Sequence, residues 1–243
     1  MDFSKINALA EELKSMRPLN ETELKRLKDE FIIENTYDSN AIEGNTLTLR
    51  ETALVLEGVT IGEKPLKDHL EAIGHKEAFE YVTELADRNT PLTESVIKDI
   101  HTLVLMNDRE NKGKYRSVPV RISGALHTPP QPYLVAPQME TLIKDYQTIK
   151  ASKHIIEAVA ELHLRFEGVH PFIDGNGRTG RLILNLELIK AGLLPVNVKF
   201  SDRRKYYDCF DKYYGDNHSA AEMTELIARY EETELEKKLA ILK

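Results

Sequence analysis

The side chains best suited to chemistry lie in one stretch, HPFIDGNGRTGR, from His170 to Arg181. Taken singly, its parts are ordinary. A histidine at a helix end commonly caps that helix. Asp-Gly-Asn-Gly forms turns because Gly and Asn tolerate positive φ, and two arginines three apart in a helix commonly share a solvated face. Taken together they are more specific. Gly175 and Gly177 let the backbone approach a ligand closely and flank Asn176, where a helix begins, so free N–H groups and the positive end of the helix dipole make an anion site. Arg178 and Arg181, in the first turn, project toward the same anion. Such crowding of positive charge at a helix N-terminus is unfavourable unless something negative lies between. Asp174 at the mouth suits a divalent ion bridging phosphates, since Mg2+ takes a carboxylate together with phosphate oxygens and water. His170, four residues earlier, is placed to take a proton from an attacking hydroxyl. A base, a metal carboxylate, a phosphate cradle and two clamps argue for transfer of a nucleotide phosphate.

The elements that must hold this loop are helices. Helical periodicity runs over about 3–16, 20–37, 48–58, 64–87, 92–106, 136–150, 153–169, 177–191, 201–214 and 219–241. In the helix ending at Val169, residues Ile155, Val159, Leu162 and Phe166 recur at three- and four-residue steps. Thr48 with Glu51, Ser219 with Glu222 and, more loosely, Asn20 with Glu23 read as capping boxes. Gly192 after Lys190, with Pro195 beyond, reads as a helix stop. One segment departs from the pattern: from Tyr115 to Gly124, Val118, Val120 and Ile122 alternate with Ser117, Pro119 and Arg121, a strand signature. Pro119 cannot donate to a ladder, which places the strand at an edge. Such an edge serves either as a plain surface hairpin or as a place where a partner's extended segment adds. Pro129, Pro130 and Pro132 then mark an extended loop.

Composition excludes several classes. With 33 Lys and Arg against 40 Asp and Glu, the formal charge is -7, and no basic block is present for sequence-independent nucleic-acid binding. The first twenty residues have scattered charges and no apolar run of the signal-peptide kind, and no run is long enough to span a membrane. The lone Cys209 has no intramolecular disulfide partner. A chain of 243 residues buries roughly 70–75% of its unfolded surface, so it needs no metal or disulfide to hold a core. The expectation is one helical, globular, cytoplasmic domain.

The stretch from His170 resembles the signature of the Fic family, HxFx(D/E)GNGRxxR, with every defining position matched. The resemblance extends to Lys112–Arg116 (KGKYR), to Val118–Gly124 and to His127-Thr128-Pro129-Pro130, which look like that family's flap and its approach. It implies an all-α, Fic-type helical fold with a small β-hairpin flap (about 112–124). The core would span 92–215 with its catalytic loop at 170–181, preceded by a helical region 1–91 and followed by a C-terminal helix, 216–243, packed on the same domain. It also implies an activity: a protein adenylyltransferase that moves AMP from ATP to a Ser, Thr or Tyr hydroxyl. His170 would be the base, and Asp174 would hold Mg2+ (or Mn2+) between phosphates. Gly175, Asn176 and Gly177 would line the anion hole, with Arg178 and Arg181 gripping phosphates, Arg181 the γ-phosphate. Relatives of the Doc type, which phosphorylate instead, carry Ala at the position of Gly175 and often Lys at that of Gly177; glycine at both favours nucleotidyl transfer.

A second match lies upstream, where Ser39-Asn40-Ala41-Ile42-Glu43-Gly44 resembles the inhibitory motif (S/T)xxxE(G/N) of self-regulating Fic proteins. As plain structure it reads as a helix terminus capped by Gly44 and Asn45, though an acidic residue there opposes the dipole. As an inhibitory helix (about 37–45) it would set Glu43 against Arg181, in the space of the γ-phosphate. The same glutamate would also serve a de-AMPylase or a bifunctional enzyme. A non-catalytic module that only binds nucleotide is the third reading, disfavoured by the presence of His170. Tyr206 and Tyr207 are candidates for an adenine pocket, with aromatic core packing as the competing role. His101, His154 and His163 read as structural, and His127 as a structural group or a substrate contact. Val118, Pro119, Val120, Arg121 and Ile122 would dock a target protein. The partners expected are therefore ATP and a protein substrate, with self-modification and a homodimer as further options, and neither nucleic acid nor membrane.

Overall fold

Among the described residues (1–16, 20–122 and 124–242 of a computed structural model, apart from the Glu21 side chain) the chain forms ten α-helices. They are α1 (Ser4–Ser15), α2 (Glu21–Ile42), α3 (Leu49–Leu56), α4 (Leu66–Asp87), α5 (Glu94–Val104), α6 (Pro132–Ser152), α7 (Ile155–Val169), α8 (Asn176–Lys190), α9 (Arg203–Gly215) and α10 (Ala221–Leu242). The architecture is all-α. No helix is long and apolar enough to cross a membrane among the described residues.

Helices α7 and α8 form the middle of the molecule. Leu182 and Leu186 of α8, with Leu162 and Phe166 of α7, join a core built on Phe79, Val82, Ile97, Ile100 and Met139 of α4, α5 and α6. Leu184 and Leu188, with Ile156 and Val159, join a second core on the opposite side, with Ile6, Tyr206, Ile227 and Leu235 of α1, α9 and α10. A helix that is apolar around most of its circumference must be enclosed, and from Arg178 to Leu188 every residue of α8 is buried. That enclosure fixes the start of α8, and with it the loop His170–Gly175, in a rigid frame.

The local signals act largely as expected. Asn20 with Glu23 and Thr48 with Glu51 form reciprocal capping boxes. The Ser219–Glu222 box does not form: Ser219 Oγ accepts from Ala221 N at 3.3 Å, while Glu222 turns to Lys212 of α9 at 3.2 Å. After α8 the chain stops at Gly192, at φ +80, a conformation open to glycine without strain. Helix α2, capped by Asn20, runs without a break to Ile42, so the segment expected to be inhibitory is its last turn and cap and not a separate element.

The flap corrects one expectation. No strand forms between Tyr115 and Gly124 among the described residues, so there is no β-hairpin; Ser123 lies outside them. The segment is irregular, with a bend at Ser117 and Val118, has no facing strand among the described residues, and Pro119 removes a donor. What holds it is a buried side chain: Arg116 donates from Nη1 to Val118 O (3.2 Å) and from Nη2 to Pro130 O (2.6 Å). An isolated ladder would be marginal in water; a guanidinium bonded to carbonyls replaces it.

Candidate active site

The loop is pinned at three points. At its start, His170 caps α7 in the left-handed region (φ +47), its N–H donating to Phe166 O at 3.0 Å. In the middle, Phe172 is fully buried and stacks on His101 of α5 with ring centroids 3.6 Å apart. At its end, Asn176 folds its side chain back: Oδ1 accepts from Phe172 N and Nδ2 donates to Phe172 O, both at 2.9 Å. Asn176 therefore shapes the loop with its side chain and offers only its backbone to a ligand. Gly175, at φ +75, precedes the first turn of α8. The first helical bond runs from Thr179 N to Gly175 O, so the N–H groups of Asn176, Gly177 and Arg178 have no carbonyl within the helix.

His101 joins this loop to the base of the flap. Burial holds its pKa down to about 4, so the ring is neutral. Nδ1 accepts from Gly113 N and Nε2 donates to Asp174 O, each at 2.9 Å, which settles the tautomer. Arg116 makes a second tie, donating to His170 O at 2.8 Å while its own N–H reaches Pro171 O at 2.9 Å.

Two guanidiniums stand behind the α8 N-terminus, both buried. Arg178 meets Glu71 of α4 at 3.0 Å and Asp174 at 3.4 Å, and Asn45 donates to the second oxygen of Glu71 at 2.9 Å. Arg181 meets the end of α2: Nε donates to Ser39 Oγ (2.9 Å), and Nη2 donates to Ser39 O (2.8 Å) and Glu43 Oε1 (2.8 Å). The Glu43 carboxylate lies over Gly177, where a Cβ would meet its Oε1 at 2.1 Å. Gly44 turns the chain away at φ +94. His75 sits near both arginines, its pKa lowered to about 3 by burial and by their charges, and hydrogen-bonds Thr36 at 3.1 Å.

Asp174 is half exposed, with Oδ1 held by Gly175 N at 2.6 Å and Oδ2 near Lys67 at 3.8 Å. No group of three or more ligating side chains gathers among the described residues. One oriented carboxylate at an anion-binding helix start is the donor set that Mg2+ takes when phosphates and water complete its sphere, so the residues fit that ion. Tyr206 is buried, accepting from Arg181 at 3.3 Å, whereas Tyr207 is partly exposed, with Arg203 over its ring at 5.0 Å and its hydroxyl on Ile42 O at 3.3 Å. Val118 is exposed on the flap. Glu71 and Lys67 carry no functional signal in the sequence, because each lies in an ordinary helical pattern; Arg116 falls within the KGKYR stretch of the resemblance without a role of its own, and His101 and His163 read there as structural.

Residues 91–188 match the Fic/DOC family model. A Fic-domain-containing signalling protein from Bacteroides thetaiotaomicron superposes with a TM-score of 0.90 at 30% identity, covering 98% of this chain and 97% of that one. Fic-1 from C. elegans superposes with a TM-score of 0.85 at 26% identity, over 99% of this chain and 71% of that one. The protein adenylyltransferase Fic of Nematostella vectensis is 37% identical over 199 residues, and that of Aedes aegypti 33% over 214. These stretches are 79% and 85% of this chain but only 45% and 42% of the relatives, so the chain spans less than half of each. The loop and its all-α frame thus have a family: the chain belongs to the Fic/DOC family.

Proposed function

We propose that this chain is a protein adenylyltransferase held in check by its own Glu43. The observation that carries the reading is the convergence of His170, Asp174, three free N–H groups and two buried arginines on one point at the start of α8. ATP lies with its phosphates on the N–H groups of Asn176, Gly177 and Arg178, gripped by the Arg178 and Arg181 guanidiniums. A target Ser, Thr or Tyr hydroxyl gives its proton to His170, its oxygen bonds to the α-phosphorus, and the bond to pyrophosphate breaks. The contribution is mainly position and charge. Asp174 would hold Mg2+, which supplies charge neutralisation at the phosphates. The flap, Val118 to Ile122, would offer the backbone of Pro119 to Arg121 to a target segment, and Tyr207 would flank the base of the nucleotide. We read residues 1–91, 92–215 and 216–243 as regulatory, catalytic and supporting parts of one packed body.

Glu43 competes with the γ-phosphate for Arg181 and repels it, an effect of about 1–4 kcal/mol for charges some 4 Å apart at a partly exposed site. One further observation supports removal of AMP as a second activity: the Glu43 carboxylate lies over Gly177, beside the phosphate cradle, where it can orient a water. The test is to incubate Glu43→Gly protein with Mg2+ and ATP labelled at the α-phosphorus, beside wild type and Glu43→Gly/His170→Ala. Covalent label that rises without Glu43 and vanishes without His170 is expected; equal labelling in all three ends this reading. Loss of AMP from pre-modified protein with wild type but not with Glu43→Gly would establish the second activity.

A further inference from the structure

Behind His170 lie three buried polar atoms without a hydrogen-bond partner: His170 Nδ1, Glu167 Oε1 and His163 Nδ1. They belong to α7 and its cap, spaced so that one helix face gathers them. Glu167 Oε2 stands 3.6 Å from His170 Nδ1. A Cβ on Gly180 of α8 would meet Glu167 Oε1 at 2.7 Å and His163 Nδ1 at 2.9 Å, so only glycine lets α8 close over this group.

The proton positions follow from the partners beyond. Arg181 is only a donor, so the hydroxyl of Tyr206 receives from it at 3.3 Å and gives its own proton to His163 Nε2 at 2.6 Å. His163 therefore carries its proton on Nδ1, on the side of Glu167. Burial and the Arg181 charge hold its pKa down to about 3, which keeps the ring neutral. The Glu167 side chain is only 12% exposed and has no Lys or Arg within ion-pair distance among the described residues, which leaves the His170 imidazole, 3.6 Å away, as the donor beside it. Leaving a buried acceptor and two buried donors unpaired costs about 1–3 kcal/mol for each group. Catalytic hydrogen bonds are often long in the absence of substrate and shorten when it binds.

We propose that Glu167 is a positioning residue for the base: a carboxylate oxygen receives Nδ1–H of His170. His170 Nε2 is thereby left unprotonated and aimed at the target hydroxyl. The carboxylate stabilises the imidazolium that forms when the proton arrives, the role of the third member in a nucleophile–base–orienter series. This inference rests on the transfer reading above.

Two measurements test it. In the Glu43→Gly background, Glu167→Gln is nearly isosteric but carries no negative charge to hold the His170 imidazolium. It should lower kcat for covalent AMP labelling about 10- to 100-fold, with KM for ATP within about twofold, because Glu167 faces the base and not the nucleotide. In wild-type protein, long-range 1H–15N spectra of the histidines should give His170 as the neutral Nδ1–H form, shifting toward the Nε2–H form favoured by free imidazole in Glu167→Gln. This second measurement needs neither the variant's activity nor its fold in the wild-type arm. An Nε2–H ring in wild type, or a kcat unchanged by Glu167→Gln, overturns the assignment. Failure of the transfer reading looks different: Glu43→Gly gives no label, or gives label that persists in Glu43→Gly/His170→Ala.

Discussion

Arg178 and Arg181 sit one helical turn apart, both buried, each against a glutamate, yet the two pairs differ in kind. Glu71 comes from within α4, and its second oxygen is tied to Asn45, so its carboxylate is 8% exposed and cannot leave without tearing helix packing. Glu43 is the C-cap of α2, its side chain 32% exposed, and beyond it Gly44 turns the chain away. Arg181 loses little when Glu43 departs, because Ser39 O and Oγ and the Tyr206 hydroxyl remain bonded to it. One pair fixes a clamp in place, and the other closes a clamp that can be reopened. What separates them is less the ion pair than where its carboxylate is anchored.

The contrast can be broken at its fixed side. Glu71→Ala leaves the Arg178 charge buried with only the half-exposed Asp174 opposite; removing one partner of a buried pair costs about 3–5 kcal/mol, visible as a lower denaturation midpoint and weaker ATP binding by calorimetry. At the reopening side, Glu43→Gly should lower stability by less than Glu71→Ala does, because the Glu43 side chain is 32% exposed and Ser39 and Tyr206 stay bonded to Arg181, while raising covalent AMP labelling about tenfold or more, equivalent to ~1.4 kcal/mol. A midpoint drop as large as that of Glu71→Ala would erase the distinction. Gly177→Ala sharpens it, since a methyl there collides with Glu43 Oε1 while the glutamate stays in the chain. Labelling should rise above wild type by a few-fold, less than in Glu43→Gly because the methyl also crowds the phosphate cradle. The smallest effect expected is that of Ser39→Ala, which removes one bond to Arg181 Nε, about 1 kcal/mol, with at most a two- to threefold rise in labelling by the same assay.

These differences also mark what could be read from sequence. The catalytic loop is contiguous, so residue type and spacing alone define a base, a carboxylate and an anion site between His170 and Arg181. The helices follow from periodicity, and α8 stands in the middle because its leucines point both ways. The pairing of Glu43 with Arg181 spans 138 positions and was legible only through the resemblance of Ser39–Gly44 to a known motif. Glu71 and Glu167 gave no signal, because a single glutamate in an amphipathic helix looks the same whether it faces water or a buried guanidinium or imidazole. The flap misled for a related reason: alternation of Val118, Val120 and Ile122 describes an extended backbone but cannot say whether a second strand exists to pair with it.

Arg116 has a consequence of its own. Its donors go to the carbonyls of Val118, Pro130, Val169 and His170, and none to a carboxylate. Beside the His101 tie, the guanidinium works as a rivet between the two loops, so that on the proposed reading the segment that meets a target and the residue that takes its proton are held in one piece. A target strand that settles slightly out of register displaces the hydroxyl against a base that cannot follow. On that reading, fidelity toward the modified residue would come from stiffness between recognition and chemistry, with no pocket needed to read the side chain itself.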